Sequence, residues 1–266
     1  MANHTIKVGN VEMVSLKDAL ATRSPVDTFP GSTIEEWREF PELLTADEEI
    51  SSRVGTTAIR SGGKLLIVDT GLQLPGALLL DEMKEKGVDR DAVDLVVLTH
   101  LHPDHVGWNM SDGRPTFPNA RYLVSQTDWD YWSQPSVAEN APHIKSQVFP
   151  LLEHNVMDLM DDGYNITDEV SVMLTPGHTP GHMSIVIASA GEMAFVLGDV
   201  ANNPVQAHHT DWCPIFDMDK EMAIATRHGV LDKLEADGTL VSAGHFPEPG
   251  FGHFVRVEGR RLWQGV

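Results

Sequence analysis

The segment LVVLTHLHPDH at residues 95–105 carries most of the information about this fold. Its first four residues form an apolar run of the length and composition typical of a buried strand. His100, His102, Asp104 and His105 follow at once. A tight turn there can direct the first two side chains at one ion and the last two at a second. A single histidine is more often structural, but imidazoles and a carboxylate at this spacing favour a divalent metal site.

Three further ligand types stand where other predicted strands end. His178 lies in TPGHTPGH at residues 175–182, and its two Pro-Gly steps predict sharp turns that fix the backbone around the imidazole. Asp199 follows the apolar run 194–197, and His245 follows the run 240–242 and a glycine. Each feature alone is weak evidence. Four strand-end sets in one chain indicate a common centre.

Composition and charge exclude several classes of protein. The chain of 266 residues has one cysteine, Cys213, which excludes a disulfide framework and a cysteine-rich zinc site. We interpret this thiol as packing, because no partner that would activate it is evident. The formal net charge of −20 argues against nucleic-acid binding. No run approaches about 18 apolar residues, so no membrane span is expected. Residues 1–20 lack the features of a secretory signal, and we expect a cytoplasmic protein.

Patterning along the chain predicts a mixed α/β fold of layered sheets with helices outside, in one domain over residues 1–266. The predicted strands cover residues 6–15, 54–59, 64–68, 94–98, 121–124, 170–174, 183–188, 194–197, 240–242 and a hairpin over 254–263. The predicted helices cover residues 78–86, 142–154 and 220–236, the last ending at Gly238.

The stretch from 21 to 44 breaks the pattern and contains three prolines. Within it, Ser32 with Glu35, or Thr33 with Glu36, predicts a capping box that opens a short helix through Trp37. A plain surface loop is the default interpretation, and a flap over a site is the alternative. If the protein forms a homodimer, this segment is the candidate interface.

The strand-end motifs together resemble those of the metallo-β-lactamase fold superfamily, in the same order along nearly the whole chain. The resemblance implies a four-layer αββα sandwich of two mixed sheets flanked by helices, with a two-metal site at one edge. It assigns His100, His102 and His178 to one ion and Asp104, His105 and His245 to the other, with Asp199 bridging them. It further implies that Asp69 orients a ligand histidine, and His182 is interpreted as a structural hydrogen-bonding residue.

The implied chemistry is metal-assisted hydrolysis, in which a hydroxide bridging two divalent ions acts as the nucleophile. Zinc is the default metal, and manganese, iron or cobalt suit the same ligands. Asp104 and Asp199 are the predicted catalytic carboxylates, and Asp199 is the candidate that passes a proton to the leaving group.

The predicted substrate is a small-molecule ester, with a lactone of the acyl-homoserine-lactone type preferred and phosphotriesters or aryl esters as secondary substrates. The alternatives are a thioester hydrolase of the glyoxalase II kind, a β-lactamase, and a non-catalytic metal-binding member of the fold. Many lactonases use a tyrosine after the bridging aspartate, and none lies between Asp199 and His245. His208 or His209 is a candidate substitute, and an exposed loop pair is the equal alternative. Several aromatic residues are interpreted either as an apolar pocket wall or as packing in the core or at a subunit contact, namely Trp108, Trp212, Phe216, Phe246 and Phe251, and Trp37 is a candidate addition to that wall.

Overall fold

The computed structural model of the chain describes residues 4–266. Residues 1–3 lie outside the described residues. They are the first part of the segment 1–20, which is predicted not to be a secretory signal. The strands are β1 (Thr5–Val8), β2 (Val11–Arg23), β3 (Ile50–Ser61), β4 (Lys64–Val68), β5 (Leu95–Val97), β6 (Met110–Ser111), β7 (Arg114–Pro115), β8 (Arg121–Ser125), β9 (Met157–Met160), β10 (Val170–Leu174), β11 (Met183–Ser189), β12 (Glu192–Val196), β13 (Leu240–Ser242), β14 (Phe251–Val257) and β15 (Arg260–Gly265).

Eight α-helices accompany these strands in the described part of the chain. They are α1 (Pro25–Thr28), α2 (Ile34–Trp37), α3 (Leu79–Glu85), α4 (Pro103–Val106), α5 (Gln126–Trp132), α6 (Pro135–Ala138), α7 (Phe149–Glu153) and α8 (Lys220–Asp237). Short 3₁₀ turns occur at Pro41–Leu43, Arg90–Ala92, Gly198–Val200 and Pro204–Ala207, and a π-helical turn at Ile144–Val148. Within residues 4–266, none of the helices combines the length and the apolar character that a membrane crossing requires.

Two mixed sheets form the centre of the fold. The first has the order β1-β2-β3-β4-β5-β8-β9 and is parallel from β4 to β9, and the second has the order β10-β11-β12-β13-β14-β15 with β12 and β13 parallel. Their inner faces share one buried core, in which Met13 and Val97 of the first sheet belong with Ile185 and Val196 of the second. Burial of these apolar side chains is the main favourable contribution to folding.

Helices cover the outer face of each sheet. Leu79 and Met83 of α3 pack against the first sheet together with Leu151 of α7. Leu231 and Leu234 of α8 pack on the outer face of the second sheet. The order of layers is therefore helix, sheet, sheet, helix, and the predicted αββα sandwich is confirmed.

The structure differs from the predicted elements at the amino-terminal end. The strand predicted over residues 6–15 is a hairpin of β1 and β2, which turns at Gly9, where φ is +57°. β2 then continues to Arg23, into the stretch predicted to be irregular, because its ladder with β3 extends to the pair Arg23–Ile50. A register shift between Lys17 and Ala19 interrupts the alternation of buried and exposed residues that marks a strand.

Other boundaries are close to those predicted. Thr33 and Glu36 form the capping box, as the second of the two alternatives, and Gly238 ends α8 with φ of +61°. The helix predicted over 142–154 is divided into the π-helical turn and α7. The short elements α5 and β9 have no counterpart among the predicted elements.

Candidate metal centre

The first group of candidate ligands lies where β5 leaves the centre of the first sheet. After β5, the chain turns at residues 98–102, and Pro103 begins α4, where its missing N–H costs no hydrogen bond. This turn places His100 and His102 before the helix and Asp104 and His105 on its first turn. The side chains of His100 and His105 are buried, and their ring centroids lie 4.0 Å apart.

His178 is held in its loop by close backbone packing. Gly177 adopts φ of +128°, and a Cβ there would lie 2.3 Å from the backbone nitrogen of Ala223 on α8. The buried Asp128 connects this loop to the first one, because its carboxylate accepts hydrogen bonds from the N–H groups of Leu101 (3.1 Å) and Gly181 (2.7 Å). The two loops thus have a common anchor on α5.

Asp199 and His245 come from the second sheet. Asp199 follows β12, and its N–H donates to Nε2 of His182 over 2.8 Å. The other ring nitrogen of His182 lies 2.8 Å from the Thr175 hydroxyl, so this imidazole is occupied by structural hydrogen bonds, as interpreted from the sequence. His245 follows β13, and its Nδ1 donates to the carbonyl of Arg53 over 2.8 Å.

The structure brings all seven predicted ligands together. Within each of three groups the candidate donor atoms lie within 4.8 Å of one another, the groups being His100, His102 and His178; His100, His105 and Asp199; and Asp104, His105 and His245. Asp199 stands between them. One of its carboxylate oxygens lies 3.1 Å from Nε2 of His178, and the other lies 3.3 Å from Nε2 of both His105 and His245.

The donor atoms at the centre of this group fit divalent cations. Nε2 of His100, Nε2 of His105 and Oδ1 of Asp199 are buried and have no hydrogen-bond partner within residues 4–266. Buried polar atoms are normally satisfied, because an unsatisfied one costs about 1–3 kcal/mol. A nitrogen and oxygen donor set of this kind suits zinc and similar ions. The side chains present therefore fit the metal that the sequence motifs imply.

Electrostatics prepares the cluster for a cation. Burial, together with neighbouring imidazoles, lowers the pKa of His102 to about 3 and that of His100 well below the ordinary value, so both rings are neutral at pH 7. Burial raises the pKa of Asp199, but the charges of His245, His105 and His178 outweigh it and hold that pKa well below the usual range. Burial also lowers the pKa of His105, His178 and His245, but the Asp199 carboxylate outweighs it and raises all three, that of His178 to about 9. Metal ions bind neutral imidazoles and ionised carboxylates, so binding at these three rings releases protons.

Three candidate ligands, His105, His178 and His245, have one ring nitrogen fixed by an oxygen acceptor, which for His245 is the carbonyl of Arg53. His105 donates from Nδ1 to Asp69 over 2.8 Å, so Asp69 lies where the resemblance places it. His178 donates from Nδ1 to Asp217 over 2.8 Å. Bonds of this kind fix the tautomer and direct the other nitrogen inward. Sequence reasoning missed Asp217, since no local motif connects it with a histidine 39 residues away.

A cavity of 340 Å³ opens onto the candidate ligands. Its apolar walls come from β2, β3 and neighbouring loops, and the residues involved are Ala21, Phe29, Ile50, Val54, Leu72, Pro103 and Phe216. Among the aromatic residues considered from the sequence, Phe216 therefore belongs to the wall. Trp37 and Trp212 pack with Phe29 in a buried cluster behind it, and the core interpretation holds for Phe246 and Phe251. Trp108 donates its indole N–H to Asp18.

The structure shows the surroundings of His208, His209 and Cys213, which the sequence analysis considered as possible functional residues. His209 stacks on Trp212 with a centroid distance of 4.0 Å, and His208 and His209 are not among the residues that line the cavity within the described chain. Asn202 lines it instead, and its Nδ2 donates to Asp199 over 2.7 Å. Cys213 is buried, and burial raises the pKa of its thiol, which fits a packing role.

Comparison with known proteins identifies relatives of this arrangement. A model described as the metallo-beta-lactamase superfamily matches residues 54–245. The chain is 22% identical over 167 residues to an N-acyl homoserine lactonase of Bacillus thuringiensis, covering 63% of this chain and 61% of that relative. It is 32% identical over 112 residues to the N-acyl homoserine lactonase AttM of Rhizobium radiobacter, covering 41% of each. The aligned region thus spans less than two thirds of the length of these curated relatives.

Two solved structures extend the similarity over almost the whole chain. The hydrolase AbOPH in the beta lactamase superfamily superposes with a TM-score of 0.91 at 25% identity, covering 100% of this chain and 98% of its own. AidC, a dizinc quorum-quenching lactonase in complex with a product, superposes with a TM-score of 0.87 at 22% identity, covering 98% of this chain and 96% of its own. At 22% identity the second comparison shows the fold alone.

Proposed function

The chain belongs to the metallo-β-lactamase superfamily, and from that premise we propose that it is a dinuclear metal-dependent hydrolase of small-molecule esters whose preferred substrates are lactones. The observation that carries the proposal is the position of Asp199, which approaches candidate ligands of both groups within 3.3 Å. The lactonase relatives support the substrate class. The description of AidC as a dizinc protein supports zinc.

In this proposal, His100, His102 and His178 hold one ion, and Asp104, His105 and His245 hold the other, with Asp199 shared between them. Two divalent ions bound there would supply a water of lowered pKa and an electrophile for the ester carbonyl. No serine or cysteine nucleophile is then required, which agrees with the buried and unactivated Cys213.

The side chains of this chain have separate tasks in ester cleavage. Asn202 holds one oxygen of Asp199 through its amide, and the other oxygen has no hydrogen-bond partner within residues 4–266. That oxygen would accept the proton released by the attacking water as the water oxygen bonds to the acyl carbon, and would pass it to the alkoxide that leaves when the acyl C–O bond breaks. Asp104, whose side chain is 26% exposed, lies at the cavity side of the centre beside His245.

The cavity supports the proposed preference for an ester with an apolar substituent. Its walls are mainly apolar, and the polar candidate ligands are gathered at one side. Such a site buries the acyl part of a ligand, while the few polar groups orient the bond to be cleaved. Phosphotriesters and aryl esters, which present a similar electrophile next to an apolar group, are the proposed secondary substrates.

The experiment that tests the proposal is a hydrolysis panel on zinc-loaded protein, with lactones, aryl esters, thioesters, phosphotriesters and β-lactams. We expect lactones to be cleaved with the highest kcat/KM, and Asp199→Ala to lower it by at least a thousandfold together with the bound zinc. Asp91→Ala, which removes an exposed carboxylate paired with Arg90, is the matched control and should leave both unchanged. Cleavage of β-lactams alone, or full activity in Asp199→Ala, would overturn the proposal.

A further inference from the structure

Arg227 on α8 is completely buried and donates hydrogen bonds to four oxygen atoms. Its Nε donates to the carbonyl of Val200 over 2.7 Å, and Nη1 donates to the carbonyls of Thr210 (3.1 Å) and Trp212 (2.9 Å). Its Nη2 donates to Oδ2 of Asp217 over 2.7 Å. A buried guanidinium is stable only when such acceptors compensate for lost hydration. This side chain thus fastens the segment 200–217 to α8 at four points.

The carboxylate of Asp217 connects Arg227 to the metal centre. Its second oxygen, Oδ1, accepts the hydrogen bond from Nδ1 of His178 over 2.8 Å. This bond leaves Nε2 of His178 directed at Asp199, 3.1 Å away. The line of contacts therefore runs from the helix through Arg227, Asp217 and His178 to the candidate bridging carboxylate. All four side chains on it are buried.

The same arginine also holds the wall of the cavity. The segment 198–217, here called the cavity loop, contributes Asp199, Asn202 and Phe216 to the lining. Arg227 contacts backbone carbonyls near the beginning and towards the end of this loop. A displacement of the loop would move Asp217 and Asp199 on both sides of His178. Ring orientation at His178 and the conformation of the cavity loop therefore depend on one side chain.

We propose that Arg227 is a positioning residue that couples metal binding at His178 to the order of the cavity loop. This inference rests on the proposed function, because it requires that His178 binds a divalent ion. By thermodynamic linkage, an ion bound by His178 stabilises the cavity loop, and a less ordered loop lowers the affinity for the ion by the same factor. A side chain that only packed the helix would affect folding without changing the metal site.

Two variants interrupt the line at different points. Asp217→Asn keeps the shape of the side chain and the bonds of Arg227 to the carbonyls, and removes the charged acceptor of His178. Arg227→Lys keeps the charge but loses the planar fork that reaches four acceptors. Arg256→Lys is the matched control. Arg256 lies on β14 and pairs with Glu235 of α8 at the exposed side of that helix.

The measurements are zinc affinity by chelator competition, the visible spectrum of the cobalt-substituted protein, and hydrogen exchange of the cavity loop with and without metal. For Asp217→Asn and Arg227→Lys we expect zinc affinity to fall by about 10–100-fold and the cobalt bands to shift. In wild type, zinc should slow exchange of the cavity loop, and in Arg227→Lys this effect should shrink at least threefold. The control should match wild type throughout.

The outcomes separate this inference from the function on which it rests. Wild-type protein that binds metal, with unchanged affinity and cobalt spectra in both variants, overturns the role of Arg227 and leaves the proposed function intact. Wild-type protein that binds no divalent ion overturns the proposed function and this inference with it. Should Arg227→Lys fail to fold, Asp217→Asn alone decides, because its carboxamide fits the same space.

Discussion

The carboxylate of Asp69 lies 2.8 Å from Nδ1 of His105 and is held in place by Thr99, two residues beyond β5. Thr99 donates its N–H to Oδ1 over 2.8 Å and its hydroxyl to Oδ2 over 2.8 Å. Asp69 has φ of +62°, a conformation that aspartate and asparagine tolerate better than most residues. The backbone is therefore bent to aim a buried carboxylate at one candidate ligand.

Replacing that carboxylate tests whether it orients a metal ligand. Asparagine tolerates the backbone conformation, so Asp69→Asn removes mainly the charged acceptor. We expect the zinc ion held by His105 to bind about 10–100-fold more weakly. Isothermal titration with zinc checks this expectation. The expectation would be contradicted if Asp69→Asn bound zinc at each site with the same affinity as wild type.

Metal removal should destabilise the fold. Without ions, several imidazoles and carboxylates are buried together with unsatisfied donor atoms. At an ion concentration a thousand times the Kd, binding contributes about 4 kcal/mol, or about 8–16 °C in Tm for a domain of this size. Scanning calorimetry after chelation should record this loss, and zinc should restore it. Calcium should not restore the lost stability, because it prefers oxygen ligands. Restoration by both zinc and calcium would argue against a histidine-based site.

Two glycines, one packed against α8 and one on its exposed face, separate conformational strain from helix propensity. Gly177 precedes His178, and a Cβ there would overlap the backbone of Ala223. Gly177→Ala should therefore lower stability by about 3 kcal/mol or more and reduce zinc binding. Gly229 lies on the exposed face of α8 with open space around it, so Gly229→Ala should raise stability by about 0.5–1 kcal/mol. Urea denaturation measures both, and equal effects would refute the steric argument.

A pH-dependent contribution comes from Glu235, which clamps α8 to β14 and β15. Its carboxylate accepts hydrogen bonds from Arg256 (2.6 Å) and Arg261 (2.6 Å). The bond from Arg256 lowers the pKa of Glu235 most, and the bond from Arg261 adds to this, although partial burial opposes both. A lowered folded-state pKa means that the stabilisation is present above the unfolded pKa of about 4.3 and is lost as pH falls through the folded value.

Glu235→Gln should therefore cost about 1.5 kcal/mol at pH 7, with the difference from wild type shrinking as the pH falls below about 4.3. Urea unfolding at a series of pH values measures it. Glu85→Gln, at an exposed position of α3, is the control and should show no such loss at pH 7. A difference that persists unchanged to pH 3 would mean that packing, and not charge, is responsible.

Cavity size should limit the acyl chain, if the proposed lactone substrate is right. Ala21 on β2 pairs with Ser52 on β3, and both line the cavity as small residues. Ala21→Leu should lower kcat/KM at least tenfold for long-chain acyl lactones and less than threefold for short-chain ones, because the added atoms overlap the chain. Thr22→Leu, on the opposite face of the strand, is the control. A uniform loss for all chain lengths would contradict the size limit.

Local chemistry explains why the sequence predicted most of the candidate ligands. A buried strand followed by a turn is recognisable from a few consecutive residues, and His100, His178, Asp199 and His245 each follow such a strand. The short helix α5 was missed although Ser125 caps it through the N–H of Asp128, because seven residues give too little periodicity for a prediction. The length of β2 was missed because the register shift after Lys17 breaks its alternation.

The sequence by itself determined the layered fold and the residue types of the centre, since strand runs, glycine turns and ligand spacing are short-range features. Only the tertiary structure decided how those residues are supported. Arg53 reaches His245 across 192 positions, Asp217 reaches His178 across 39, and Phe29 closes a wall that strands β2 and β3 begin. Such contacts form only when sheets and helices pack. Many different residues can supply a hydrogen-bond acceptor or an apolar surface at a given place in the fold, so no local motif marks the residue that does.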